Sequence, residues 1–469
     1  MPLFAPDDQR PIHFMGVAGA GMSALALLAR KRGVAVTGCD RDPDSAGGLD
    51  AADDVRRAGG VVMAGHDPAH VSGARALIVS SAVPKDHPEV ARAHALGVPV
   101  VRRAEALAQA VTPGLLIAVA GTHGKTTTTA MVTESLAAAG LRPTGLVGGR
   151  IASWGGNALI DGTETFVVEA DEFDKSFLAL VPEVAVVNNV EADHLECYGT
   201  VENLEDAFAK FAVPARRLIV GGDDEGAVRV ARLAGRPTYR VGFGAEADVR
   251  ITGLRRSETG TAATVILPLV GPVDIRLKVP GVHNVRNAAA ALAVAAELGA
   301  DLEKVVGALA VFRGVGRRFE LVGRAGGIVV VDDYAHHPSE IAATLEAARQ
   351  AFPAKRLVAV FQPHLFSRTR MFGEEMGRAL GQADLVVVTD VYAAREAPIP
   401  GVTGRVVADA AGNAKGGKVF WVPSRKELVG RVAGLVRSGD VVLTMGAGDV
   451  TAVGPDLLGV LLRREAALA

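Results

Sequence analysis

The residues best equipped for chemistry lie in one short stretch, Gly121-Thr122-His123-Gly124-Lys125-Thr126-Thr127. A glycine loop of this kind, running into a helix start, turns backbone N–H groups toward an anion. Lys125 can add a point charge at the β- and γ-phosphates of a nucleotide, and Thr126 can offer a hydroxyl to Mg²⁺. The spacing departs from the standard P-loop, which wants a glycine where Val119 stands. A surface turn entering an Ala/Thr-rich helix is the competing account. It explains less, because strand, loop, lysine and helix come in the order that phosphate binding requires.

Further candidates follow apolar runs. Phe166 to Val168 delivers Glu169-Ala170-Asp171-Glu172-Phe173-Asp174, four carboxylates that would repel one another unpaired. A Mg²⁺ beside the phosphates would relieve that repulsion through oxygen ligands; a solvated acidic turn is the bland alternative. Glu183 to Val187 ends in Asn188-Asn189-Val190-Glu191-Ala192-Asp193-His194, where His194 is expected as a metal ligand or as support for one. His283, Asn284 and Asn287 open an Ala-rich helix, predicted over 288–298, and suit hydrogen bonding to a base or phosphate. An N-cap role for Asn284 competes. Later strands end in Asp332-Asp333-Tyr334-Ala335-His336-His337, in Gln362-Pro363-His364 with Ser367, Arg368 and Arg370, and in Asp390 with Tyr392, Arg395 and Glu396. Six of the eleven histidines fall in such strand-end or loop motifs, so their placement is not random packing.

These residues need parallel strands to hold them. Leu115 to Ala120 reads as a buried strand and Thr126 onward as a helix. Near the start, a strand over 11–15, the turn Gly16-Val17-Ala18-Gly19-Ala20-Gly21, a helix over 22–32 and a strand over 34–37 form a βαβ unit with Asp40 just beyond. The glycines fall as GxxGxG, so a nucleotide diphosphate is expected at the helix start while NAD is not specifically supported. A ligand-free tight turn is the alternative. Ala76 to Val79 is a strand leading to Ser80-Ser81, and Pro113-Gly114 marks the first boundary. Residues 245–279 read as short alternating strands, and strands over 328–331, 357–361, 385–389 and 441–444 build another parallel sheet. Ligands bind at the carboxyl ends of such strands.

Composition limits the alternatives. At 469 residues the chain should hold two to four domains. Its net charge of −2 gives no general surface for nucleic acid or anionic membrane. Cys39 and Cys197 make neither a CxxC nor a zinc spacing, which fits a reducing compartment. No secretory signal or membrane-length apolar run is seen, so a cytoplasmic enzyme without membrane insertion is expected.

Taken together, GVAGAGMS (16–23), GTHGKTTTT (121–129), EADEFDKSFL (169–178), NNVEADH (188–194), HNVRNAAAA (283–291), GRRFE (316–320), DDYAHHPSE (332–340) and FQPHLFSRT (361–369) resemble the Mur ligases of peptidoglycan synthesis, in family order along almost the whole chain. The resemblance implies an α/β chain of three domains. These are a Rossmann-like UDP-substrate domain (1–112), a central P-loop-type ATPase domain with a mostly parallel sheet (113–316) and a Rossmann-like C-terminal domain (317–469). It implies ATP and Mg²⁺, with Gly121 to Thr127, His283, Asn284, Asn287 and Arg318 at ATP, and Thr126, Glu169 and His194 around the metal. Gly19, Ala20, Gly21, Met22, Ser23, Ser80 and Ser81 would hold the UDP-sugar. Lys125, His336, His364 and Arg368 would be catalytic, with Tyr334 and Asp390 helping to position substrate. The implied reaction joins the lactyl carboxylate of UDP-N-acetylmuramate to L-alanine through an acyl phosphate, with closure between domains. A monomer or weak homodimer is expected. Several relatives use a carbamylated lysine; the tract after His194 offers Lys210, which is not assigned that role.

Three rivals remain at this level. A tripeptide-adding murein-recycling ligase shares the chemistry and differs in its amino-acid pocket. An NAD-dependent oxidoreductase rests only on the Gly16–Gly21 turn and Asp40, and leaves Lys125 and Glu169 unexplained. A non-catalytic nucleotide-binding regulator would keep phosphate release unchanged in Lys125→Ala.

Overall fold

The computed structural model describes residues 2–44, 49–394, 396–415 and 418–468. Arg395 lies outside the described residues. The chain divides into two compact units, one of Met1–Leu254, Ala262–Arg276 and Val285–Phe312, the other of Arg255–Thr261, Leu277–Asn284 and Arg313–Ala469.

The first unit opens with five strands, β1 (Ile12–Met15), β2 (Val36–Asp40), β3 (Val61–Ala64), β4 (Ala76–Val79) and β5 (Val100–Arg102). They form one sheet in the order β3-β2-β1-β4-β5, and every pairing is parallel. Helix Ala20–Lys31 starts two residues earlier than the sequence suggests, and β2 runs on to include Asp40. That extension has a cause: Asp40 accepts the Ala18 N–H at 3.1 Å, so the strand end and the glycine turn hold each other.

The next ten strands are β6 (Leu115–Ala120), β7 (Thr144–Ile151), β8 (Gly156–Ile160), β9 (Thr165–Glu169), β10 (Val184–Val187), β11 (Arg217–Gly221), β12 (Thr238–Gly242), β13 (Val249–Ser257), β14 (Gly260–Leu267) and β15 (Gly271–Leu277). Their order is β15-β14-β13-β12-β11-β10-β6-β9-β7-β8. β6 lies at the interior of this sheet, parallel to β9 on one side and β10 on the other. Its apolar run has no alternation because both faces are covered. Burying each Ile, Val or Leu of such a strand contributes about 1.5–3 kcal/mol.

A single apolar cluster joins both sheets and helices packed on them, including Phe14 and Ile78 from the first sheet with Leu25 of helix Ala20–Lys31, and Phe166 and Val187 from the second with Phe208 of helix Val201–Ala212. Arg32 spans them: its guanidinium lies 5.9 Å from the Phe4 ring and 5.5 Å from the Phe166 ring, and it donates to Ala110 O at 2.6 Å.

The second unit carries β16 (Glu320–Ala325), β17 (Ile328–Asp333), β18 (Leu357–Phe361), β19 (Leu385–Val388), β20 (Lys418–Trp421) and β21 (Val441–Met445), in the order β16-β17-β21-β18-β19-β20. Only β16 pairs antiparallel. Separate apolar clusters cover its two faces, one around Leu345, Phe361 and Met376, the other around Val360, Leu428 and Leu457. β17 runs two residues past its expected end, so Asp332 and Asp333 are strand residues and both are buried. No helix among the described residues is long and apolar enough to cross a membrane.

Candidate active site

β6 leads into the glycine loop, and Gly124 starts helix Lys125–Ala138 in a left-handed conformation, φ +78°. A Cβ at that position would lie 3.0 Å from Asn287 Oδ1 and 3.1 Å from Asn188 Nδ2, so glycine is needed for shape as well as for φ. Thr128 N donates to Gly124 O at 2.9 Å. The N–H groups of Lys125, Thr126 and Thr127 therefore belong to the part of a helix that lacks intrahelical partners, where an anion fits.

The loop is braced from β10. Thr122 N donates to Asn189 O at 3.0 Å, His123 N to Asn189 Oδ1 at 2.7 Å, and Glu191 N to Thr122 Oγ1 at 2.9 Å. Asn188 Nδ2 donates to Thr128 Oγ1 at 3.0 Å and to His123 O at 3.2 Å. The two asparagines thus act as structural braces of the loop. The only hint in the sequence is that two amides together follow an apolar strand.

Lys125 Nζ donates to Gly121 O at 2.7 Å, to Thr122 O at 3.2 Å and to Glu172 Oε1 at 2.9 Å. Burial disfavours its charge, but Glu172, Asp171 and Glu169 together outweigh burial and hold the ammonium above its ordinary value. Burial pushes Glu172 up, against the pull of Lys125. The expected repulsion among the four carboxylates is thus relieved in part by the lysine itself.

Two of the three residues expected at the metal come together: Thr126 Oγ1 donates to Glu169 Oε1 at 2.9 Å, while Gly148 N donates to Glu169 Oε2 at 2.6 Å. A hydroxyl and a carboxylate beside a phosphate cradle are hard oxygen donors, which suits Mg²⁺. His194 stands in a left-handed conformation, φ +54°, with its ring edge-on to Phe173 at 5.3 Å and Nδ1 3.4 Å from Glu196 Oε1. Among the described residues, neither Glu169 nor His194 falls in a group of three or more His, Cys, Asp and Glu with ligand atoms within 4.8 Å of one another. Lys210 is exposed and pairs with Asp206 at 2.7 Å.

In the first sheet, Cys39 O accepts from Gly16 N at 2.7 Å and Val17 N at 3.1 Å, which shapes the glycine turn. Gly19 is exposed and Ala20 and Gly21 half-buried, whereas Met22 and Ser23 are buried beneath them. Ser23 Oγ accepts from Asn157 Nδ2 at 2.9 Å, an anchor from β8 that sequence gave no reason to expect. Ser80 and Ser81 follow β4 directly, half-buried and exposed.

Helix Val282–Glu297 begins six residues before its expected start, so His283, Asn284 and Asn287 lie in its first turns. Asn284 lies inside the helix, two residues past its start, and its Nδ2 donates back to Pro280 O at 2.7 Å.

In the second unit the ends of β17 and β18 bring Tyr334, His336 and His364 together. The His336 ring lies 5.2 Å from Tyr334 and 6.2 Å from His364, and His364 stacks on Tyr392 at 5.7 Å. His336 Nδ1 is 2.9 Å from Tyr334 O and 3.2 Å from Glu340 Oε2, which assigns the proton to Nδ1 and leaves Nε2 as the basic nitrogen. Arg318 pairs with Glu340 at 3.1 Å and covers the Tyr334 ring. Arg368 is buried, with Nη1 3.5 Å from His364 Nδ1. Asp390 Oδ1 accepts the N–H groups of Val391 and Gly404, so that oxygen pins a loop. Burial pushes Asp333 up to about 6, against Arg318 and the N–H groups of Ala335 and Phe319.

A lysine, a threonine and a strand-end glutamate around a glycine loop, carried on a mostly parallel sheet, define an α/β enzyme that binds a nucleotide phosphate. Three family descriptions match along the chain: Mur ligase family, catalytic domain, over residues 11–113; Mur ligase middle domain over 119–295; and Mur ligase, glutamate ligase domain, over 317–448. The chain is 48% identical to the UDP-N-acetylmuramate–L-alanine ligase of Kineococcus radiotolerans, covering 97% of this chain and 96% of the relative. It is 45% identical to the enzyme of the same name from Cutibacterium acnes, with 98% of each covered. The crystal structure of the UDP-N-acetylmuramate-alanine ligase of Thermotoga maritima superposes with a TM-score of 0.82 at 30% identity, covering 97% of this chain and 99% of that one. The chain belongs to the Mur ligase family.

Proposed function

We infer that this chain is an ATP-dependent ligase that forms an amide between the lactyl carboxylate of UDP-N-acetylmuramate and L-alanine, in peptidoglycan precursor synthesis in the cytoplasm. The observation that carries the reading is the Lys125–Thr126–Glu169 cradle on a chain that matches ligases of that name from end to end. In this reading the domains run over 1–112, 113–316 and 317–469.

The chemistry follows from a poor leaving group. A carboxylate cannot acylate an amine by expelling oxide. One lactyl carboxylate oxygen attacks the γ-phosphorus of ATP, the bond to ADP breaks, and an acyl phosphate results. The neutral amine of L-alanine then attacks the acyl carbon, and phosphate leaves from the tetrahedral intermediate. Catalysis is positioning and charge neutralisation. Lys125 holds the phosphates, and the N–H groups of Lys125, Thr126 and Thr127 face them. Thr126 and Glu169 would hold Mg²⁺, with His194 in support; bound there, the ion neutralises charge on the phosphate oxygens. His336, with Nδ1 held by Tyr334 O and Glu340, offers Nε2 as the base for the amine proton. His364 and Arg368, 3.5 Å apart, are assigned to hold the carboxylate or acyl phosphate.

The test is phosphate release with ATP, Mg²⁺ and UDP-N-acetylmuramate, comparing L-alanine, glycine, L-serine and the tripeptide. Release stimulated most by L-alanine is expected. A preference for the tripeptide would move the chain to the recycling reaction, and no release with any acceptor would sink the ligase reading.

A further inference from the structure

The first sheet carries a second cluster of metal-binding side chains, on strands and turns that the phosphate chemistry does not use. His13 comes from β1, Cys39 from β2, His70 from a short 3-10 turn, Pro68–Val71, and Glu89 from helix Pro88–Ala95. One ligand atom from each lies within 4.8 Å of all the others. His13, Cys39 and Glu89 are fully buried, and His70 is partly buried, its side chain 16% exposed.

The geometry points to a structural zinc site made by His13, Cys39, His70 and Glu89, which we propose binds one Zn²⁺ ion.

Distances support this first. Bonds of about 2.0–2.3 Å in a tetrahedral zinc site set the ligand atoms about 3.3–3.8 Å apart. Cys39 Sγ lies 3.3 Å from both Glu89 oxygens, His70 Nδ1 is 3.4 Å from Glu89 Oε1, and His13 Nε2 is 3.9 Å from Glu89 Oε2.

Unsatisfied atoms support it independently. His13 Nδ1 bonds Thr37 Oγ1 at 2.8 Å, which fixes the ring. His13 Nε2 and His70 Nδ1 are buried without a hydrogen-bond partner. The Thr37 hydroxyl can donate to Nδ1 or accept from it. A cation between His13 and Glu89 selects the tautomer with the proton on Nδ1, in which a lone pair and a carboxylate oxygen would otherwise face each other in a dry interior. Among the described residues, the ion pairs of Glu89 are all with histidines, and no lysine or arginine compensates its charge.

The donor set selects the metal. A thiolate, two imidazoles and a carboxylate suit zinc, whereas magnesium and calcium take oxygen alone. Four protein ligands close the shell, as in structural zinc sites. The surroundings hold the ligands in place: Asp67 N donates to Glu89 Oε1 at 2.9 Å, and His66 Nδ1 lies 3.3 Å from Cys39 Sγ. The purpose is local. Cys39 O receives the N–H groups of Gly16 and Val17, so a metal on its sulfur anchors the strand end that shapes the glycine turn.

The test is zinc content of the untagged full chain, purified without chelator from zinc-supplemented culture. About one zinc per chain is expected, falling below about a tenth in Cys39→Ala and in His70→Gln. Should those variants fail to fold, the wild-type chain still decides the matter. Stripped and reloaded with Co²⁺, it should show a thiolate-to-cobalt charge-transfer band. Absence of both stoichiometric zinc and that band in folded wild-type protein overturns the proposal. So does zinc retained undiminished by both variants.

Discussion

Lys125 and Glu172 occupy a space too dry for either charge alone; their side chains are 15% and 3% exposed, and Nζ to Oε2 is 2.9 Å. Removing one partner of such a pair leaves the other buried and uncompensated, at a cost of about 3–5 kcal/mol. Lys125→Met is therefore expected to lower thermal stability and to abolish phosphate release together, which says little about mechanism. Lys125→Met/Glu172→Gln separates the two. It should recover most of the stability while turnover stays down by about 10²–10³-fold, because the phosphates still lack their cation. Calorimetry paired with a phosphate assay reads both. If the double variant regains turnover, Lys125 is only a structural partner. The acidic stretch was visible in the sequence as a cluster, but not its pairing. Adjacent carboxylates suggest repulsion, and the lysine that pairs with Glu172 lies 47 positions away in the chain.

Elements were more legible than contacts. β6, β4 and β18 fall where the apolar runs Leu115–Ala120, Ala76–Val79 and Leu357–Phe361 put them, because a strand buried on both faces needs no alternation and ends where polar residues begin. Helix starts were less legible. Helix Val282–Glu297 opens on His283 and Asn284, which suit a loop as well as a first turn. Helix packing was not visible, although its signature was: Gly373, Gly377 and Gly381 recur every four residues on and just past helix Phe366–Leu380. They meet helix Gly404–Lys415, and a Cβ at Gly377 would lie 2.5 Å from both Ala410 Cβ and Val407 O. Gly377→Ala should destabilise the second unit by about 1–3 kcal/mol through overpacking, despite a gain in helix propensity. Gly430, in helix Arg425–Leu435, has open space around its position, so Gly430→Ala should be neutral or stabilising by up to about 1 kcal/mol. Melting curves that ranked the two alike would show that propensity, not packing, dominates at Gly377.

At the scale of the whole molecule, the first two sheets share one apolar cluster, and a polar tie crosses with it. Asn157 is 7% exposed, and its Nδ2 donates to Ala20 O at 2.5 Å and Ser23 Oγ at 2.9 Å, across more than a hundred residues of chain. Nothing in the local pattern of β8 marks it, since a lone asparagine in a short strand is ordinary; only the tertiary structure brings it to the glycine turn. Asn157→Ala removes the donor from one buried and one part-buried acceptor, a loss of about 1–3 kcal/mol. Because Ala20 belongs to the turn proposed to hold the UDP-sugar, the variant should also raise KM for UDP-N-acetylmuramate several-fold, about 1 kcal/mol of binding, with KM for ATP unchanged. Asn157→Asp should be worse on both counts, since a carboxylate cannot donate to Ala20 O and brings a charge into a nearly dry site. Steady-state kinetics with each substrate varied in turn decides the matter. An equal rise in both KM values would mean that Asn157 supports the fold generally. A selective rise would tie the second sheet to the substrate turn of the first, and would explain why these two sheets form one unit.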